Sequence, residues 1–326
     1  MVWSLLSRAA SAAVSVVLAA CQSVPPVLPH AAPPATPATP AAPAAAAPVV
    51  TPAPAPTAPV VTPRPPPPRP PRIGLALGGG AARGFAHIGV IQVLEEAGIK
   101  PDLVAGTSAG SLVAALYASG KTPQELAAMA LTLDEGAITD WSFPGRGVIR
   151  GEALARYVNQ QAGGRPIEQL RLPLGIVATD LDSGAPVLFQ RGDVGTAVRA
   201  SSAVPAVFQP VRIGEREYVD GGLVSPVPVR FARQMGAELV IAVDISTPPE
   251  GAATDGAMKL LLQTFAIMSR SINRFELREA DVVLRPSLVG VSSADFQSRV
   301  RAIRAGREAA TSLLPELKAK LAALAK

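Results

Sequence analysis

The hydrophobic pattern divides the chain in three. Ala9–Ala20 is an apolar run of small residues behind one cation, Arg8. From there to Arg72 the chain is Ala, Pro, Thr and Val with neither a helical nor a strand period. From Ile73 onward, short apolar runs alternate with amphipathic stretches and glycine turns. Ile73–Leu77, Leu103–Ala105, Leu174–Thr179, Val187–Gln190, Glu238–Asp244 and Val282–Leu284 predict strands, with another at Tyr218-Val219. Helices are predicted over Phe85–Ala97, from about Leu112 to Ser119, and over Thr122–Leu133, Gly151–Ala162, Asp193–Ser202, Val227–Met235 and Asp255–Glu276. Arg299–Lys326 predicts an amphipathic tail helix interrupted at Pro315. Strands that are apolar throughout need cover on both faces. The alternation therefore predicts a three-layer α/β/α sandwich around a mainly parallel central sheet.

The organisation follows: residues 1–20 as an export signal, 21–72 as a linker, 73–290 as one α/β domain and 291–326 as a helical tail. The run before Cys21 is too short to span a bilayer comfortably. It ends Leu18-Ala19-Ala20-Cys21, which resembles the bacterial lipobox, where cleavage exposes a cysteine for acylation. Cys21 is the only cysteine, so thiol catalysis, disulfides and cysteine metal sites are excluded from the folded region. Gln22 follows in place of the aspartate that marks inner-membrane retention, so the expected location is the outer membrane of a bacterial envelope, facing the periplasm. Twenty of residues 22–72 are proline, which forbids helix and central strand. At about 3.1 Å per residue such a leash reaches on the order of 150 Å.

The net charge of +5 is spread along the chain, with arginines in the linker and near the C-terminus. No basic stripe is interleaved with aromatics, so no nucleic acid is expected as partner. The spread charge reads first as a solvated surface and otherwise as attraction to anionic lipid headgroups; membrane lipids are expected as substrate and anchor.

Two turns carry candidate chemistry. Gly106-Thr107-Ser108-Ala109-Gly110, between a strand and a helix, has the nucleophile-elbow spacing. A serine there needs small neighbours, Gly106 and Gly110, and gains from the helix N-terminus behind it. Read alone, the same residues also fit a glycine turn with Ser108 as a helix cap. Gly78-Gly79-Gly80 offers unobstructed N–H groups for an oxyanion or a phosphate, and Arg83 adds a positive charge. Its spacing to Gly84 is one residue too long for a dinucleotide fingerprint, and no P-loop Gly-Lys-Ser/Thr follows. The serine needs a base. His30 lies in the leash, and His87 falls one turn into the helix after the glycine loop, where packing is its simpler role. Asp220, before Gly221 and Gly222, is the better candidate.

The blocks Gly78–Gly84, Gly106–Gly110, Arg199-Ala200-Ser201-Ser202-Ala203-Val204-Pro205 and Asp220-Gly221-Gly222 occur in an order that resembles the patatin-like phospholipase family. The resemblance covers Ile73 to Leu284. It implies a lipid acyl hydrolase with a Ser108–Asp220 dyad, an oxyanion hole from Gly78, Gly79, Gly80 and Arg83, a structural His87, and neither metal nor diffusible cofactor. An idle envelope scaffold and a hydrolase of non-lipid acyl esters or thioesters stay open beside it.

Overall fold

The computed structural model describes residues 69–142, 145–246, 255–292 and 295–324, all within the compact unit Pro65–Lys326. Cys21, the export signal and most of the leash lie outside the described residues. The sheet runs β10 (Val282–Leu284), β9 (Leu239–Val243), β1 (Ile73–Leu77), β2 (Leu103–Thr107), β4 (Leu174–Asp180), β8 (Arg216–Asp220), β7 (Val211–Ile213). The pairs from β10 to β4 are parallel, and those among β4, β8 and β7 antiparallel. β5 (Pro186–Phe189) pairs antiparallel with β4.

Strand alternation builds a core on each face. Leu75 and Leu77 of β1, Val104 of β2 and Ile241 of β9 pack with α1 (Phe85–Glu96) and α2 (Ala109–Ala118). Ala76, Ala105, Val240 and Ala242 pack on the other face against α6 (Val229–Gln234). This is the expected α/β sandwich, and both layers of cover explain why β1 and β9 carry no polar residue. The remaining helices are α3 (Pro123–Thr132), α4 (Glu152–Gln161), α5 (Val194–Ser201), α7 (Ala257–Glu276) and α8 (Arg299–Leu324).

The structure departs from the sequence reading at several places. β7 and a two-stranded sheet of β3 (Gly147–Ile149) with β6 (Ala206–Phe208) were not expected. At three residues each, they are too short to set up a period. α2 starts at Ala109, directly after Ser108. α8 runs through Pro315 without interruption. Proline deletes one ladder bond there, but Leu317 is buried and Leu313, Leu314 and Leu321 pack on the core from both sides of it. The tail lies against α1 at close quarters. A Cβ on Gly89 would collide with the Ile303 carbonyl, and one on Gly306 with the Ala86 carbonyl.

Candidate active site

The sheet register brings the two catalytic candidates together. β5 occupies one edge of β4 along Ile176–Thr179. The opposite edge is shared, with β2 pairing up to Val177 and β8 starting at Ala178. β2 runs parallel to β4 and β8 antiparallel, so their carboxyl ends meet head to head. Thr107 opposes Val177, and Asp220 opposes Ala178. The next residue of each chain segment, Ser108 and Gly221, turns out of that junction.

Ser108 has φ 53° and ψ −124°, in the region that L-residues avoid. Holding it there costs roughly 1–3 kcal/mol. Three glycines make room: a Cβ on Gly110 would strike the Leu77 carbonyl, one on Gly106 would meet Gly110 O at 2.5 Å, and one on Gly84 would meet Ala109 Cβ at 2.9 Å. The Ser108 N–H donates to Ser201 Oγ at 2.9 Å, and Ser201 Oγ donates in turn to Val177 O at 2.6 Å. Ser108 is 9% exposed.

Asp220 is buried. Its N–H donates to Ala203 O at 3.0 Å, and its carbonyl accepts from Thr179 Oγ1 at 2.8 Å. Oδ1 accepts the Gly222 N–H at 2.7 Å, whereas buried Oδ2 has no partner of full hydrogen-bond geometry. Burial pushes the carboxyl up to about 6, opposed by the Ser108 hydroxyl beside it and the Gly222 N–H. That value suits a base at neutral pH. The segment 199–205 now has a physical role, since Ser201 fixes the backbone of Ser108 and Ala203 that of Asp220. Local sequence does not mark Ser201 or Ala203 for these roles, because Ser108 lies 93 residues before Ser201.

The glycine loop lies over Ser108, where a Cβ on Gly79 would sit 3.1 Å from Ser108 Cβ and 3.9 Å from Oγ. The expected oxyanion set needs correction. Gly78 N–H donates to Val243 O at 3.1 Å, Gly79 N–H to Pro226 O at 2.9 Å, and Arg83 N–H to Gly80 O at 3.1 Å. Those donors are spent. The N–H groups of Gly80 and its neighbour Ala81 have no acceptor among the described residues. Ala81 sits at φ 49°, a second left-handed non-glycine residue beside Ser108. The Arg83 side chain lines a different cleft, which neither Ser108 nor Asp220 borders.

His87 is fully buried and donates from Nε2 to Gly78 O at 2.8 Å, which leaves Nδ1 unprotonated and without a partner. Burial lowers its pKa to about 4, against the opposing pull of the Gly78 carbonyl and of Asp244. It is therefore a neutral brace for the glycine loop.

A family model described as Patatin-like phospholipase matches residues 75–233. An uncharacterized NTE family protein of Mycobacterium tuberculosis is 39% identical over 204 residues, covering 62% of this chain and 56% of that protein. Patatin-like phospholipase domain-containing protein 6 of Mus musculus is 37% identical over 186 residues, 55% of this chain and 14% of that protein. The chain thus spans about half the length of the mycobacterial relative. Among solved structures, VipD from Legionella pneumophila shares the fold, with a TM-score of 0.52 at 16% identity over 76% of this chain and 67% of that one. Through residues 75–233 the chain belongs to the patatin-like phospholipase family, a family of lipid hydrolases.

Proposed function

We propose that this chain hydrolyses carboxylic esters of lipids through an acyl-enzyme on Ser108, with Asp220 as its base. The observation that carries the reading is one junction. A strained serine meets a buried carboxyl that has an unmatched oxygen and a pKa near neutrality. Asp220 takes the Oγ proton as Oγ attacks the ester carbonyl carbon. The N–H groups of Gly80 and Ala81 donate to the oxyanion, and the N-terminus of α2 adds its positive end. Collapse breaks the ester C–O bond, and Asp220 returns the proton to the leaving alcohol. Water, deprotonated by Asp220, then attacks the acyl carbon; the C–Oγ bond breaks, Asp220 returns the proton to Ser108 Oγ, and the acyl group leaves as a carboxylic acid.

A lipid surface as partner is supported by α7. This helix leans on the base's turn, with Ser269 Oγ 3.4 Å from Gly222 O. It exposes Met258, Leu260, Leu262, Ile267 and Met268. It carries Arg270 and Arg274 and no acid before Glu276, a pattern suited to an anionic bilayer surface. Acylation at Cys21 in a bacterial envelope is part of the same proposal.

The test compares the full chain with Ser108→Ala on p-nitrophenyl esters of increasing chain length and on phospholipid vesicles. Turnover and fluorophosphonate labelling are expected in the first and lost in the second. A wild-type protein that is folded, unlabelled and inert would leave the dyad without a function.

A further inference from the structure

A second crevice opens along the same edge of the sheet. It holds about 910 Å³ and is lined by side chains that follow three adjacent parallel strands. Arg83 comes after β1, Asp244 after β9 and Arg285 after β10, while α7 contributes Arg270, Asn273 and Arg274. Ligands of open α/β sheets bind outside the carboxyl ends of such strands. Ser108 follows β2, one strand further along, and does not line this crevice.

Two of its side chains are buried with unmet polar groups. Asn273 is 4% exposed, and neither its Oδ1 nor its Nδ2 has a partner. Arg83 is 5% exposed with Nε unmatched. Native proteins seldom bury polar atoms in this state unless a ligand or water completes them. The charge is unbalanced as well. Leaving Arg270 aside, the three guanidinium groups of Arg83, Arg274 and Arg285 face one carboxylate among the described lining residues. That carboxylate is already engaged, since Asp244 Oδ1 accepts from Ser246 and Oδ2 lies 3.7 Å from Arg285 Nε. Burial lowers the Arg83 pKa, and the nearby Asp244 charge opposes that shift.

Guanidinium forks match phosphate oxygens in pairs, and a cluster of them favours a dianion over a lone carboxylate. We infer that this crevice is a binding site for a phosphomonoester dianion, separate from the ester-cleaving junction. The same chemistry is offered by a phosphomonoester lipid headgroup and by free phosphate. Arg83 lies within the short turn Ala81–Gly84, so an occupant would touch the segment carrying the unspent N–H groups. The inference does not depend on Ser108 being a nucleophile, because its test reads binding.

The full chain is titrated calorimetrically with inorganic phosphate. It is also sedimented with vesicles containing either phosphatidic acid, a phosphomonoester, or phosphatidylglycerol, a phosphodiester, in a neutral lipid. Saturable phosphate binding that weakens at least tenfold in Arg274→Gln and Asn273→Ala supports the site, with free phosphate as a ligand. A preference for phosphatidic acid that disappears in the same variants supports it with a headgroup as ligand. Arg274 is exposed, so its variant informs even if Asn273→Ala does not fold. Arg212→Gln, on an exposed hairpin, is the charge control and keeps wild-type binding. Neither phosphate binding nor a phosphatidic acid preference, or binding indifferent to Arg274→Gln, overturns the inference.

Discussion

The Ser201 hydroxyl accepts the Ser108 N–H at 2.9 Å and passes its own proton to Val177 O at 2.6 Å. One side chain thus ties the strained backbone of Ser108 to the strand on which β2 and β8 meet. Ser201→Ala orphans a buried donor and a buried acceptor together. A loss of about 1–3 kcal/mol in unfolding free energy is expected. kcat should fall tenfold or more, with KM little changed, in steady-state kinetics on a soluble ester. Wild-type kcat in Ser201→Ala would remove Ser201 from the positioning of Ser108.

With Asp220 as the proposed base, its titration should set the acid limb of the pH profile. It works as a base only when deprotonated, so kcat/KM should drop tenfold per pH unit below about 6. Its folded pKa is raised above the ordinary 3.8. The fold therefore binds this proton more tightly than the unfolded chain, and stability declines as pH rises from 3.8 to about 6. Asp220→Asn should be inactive and more stable than wild type above pH 6, by roughly 1–3 kcal/mol. Denaturant melts at pH 4 and pH 8 check the sign, since the gain should shrink at the lower pH.

His87 shifts the opposite way. Its folded pKa of about 4 lies below the ordinary 6.5, so stability is lost as pH falls from 6.5 through 4. His87→Gln keeps a donor for Gly78 O and should retain most activity. His87→Ala should lower kcat about tenfold by loosening the glycine loop, a cost of the order expected for a misplaced oxyanion donor. In both variants the acid limb should stay near 6, because the proposed reaction moves no proton through His87. A limb that moves with His87 would make it the base.

The outward face of α7 separates interface binding from chemistry. Leu260→Glu combined with Ile267→Glu places two charges where Leu260 is 56% and Ile267 51% exposed. Vesicle hydrolysis should fall at least tenfold while hydrolysis of a short soluble ester stays near wild type. Equal loss on both substrates would assign the face to folding.

The crossing of α1 and α8 tests the tail. Gly306→Val drives a side chain into the Ala86 carbonyl, which backbone cannot yield cheaply. The melting temperature should fall by more than the few degrees of an ordinary surface change, as cavity-free helix contacts come apart. An unchanged melting temperature would show the tail to be dispensable.

Much of this was legible in the chain. Ile73–Leu77 and Leu103–Ala105 announce buried strands because every residue is apolar, and the elbow is visible because Gly106 and Gly110 keep fixed distances from Ser108. The direction of an amide is not written in a glycine. Gly78 and Gly79 look as able to donate as Gly80 until Val243 O and Pro226 O are seen to take their protons. Ser201 stands 93 residues from Ser108, and its partnership depends on how α5 meets β4, which no local period encodes. Pro315 reads as a break because the intrinsic cost of proline is local, whereas the leucines that hold α8 together answer to α1 and the sheet.

The way the chain enters the sheet has a mechanical consequence. Arg69 grips Glu238 with two hydrogen bonds, and the Arg72 N–H holds the same carboxylate at 2.7 Å. Immediately after comes β1, an interior strand paired along five positions with β9 and four with β2. A pull on the chain ahead of Arg69, directed along β1, loads those rungs together in shear instead of peeling them one at a time. Tension applied through the N-terminal segment is thus met by the strongest direction of the sheet, with the Arg69–Glu238 pair as the first element to give way.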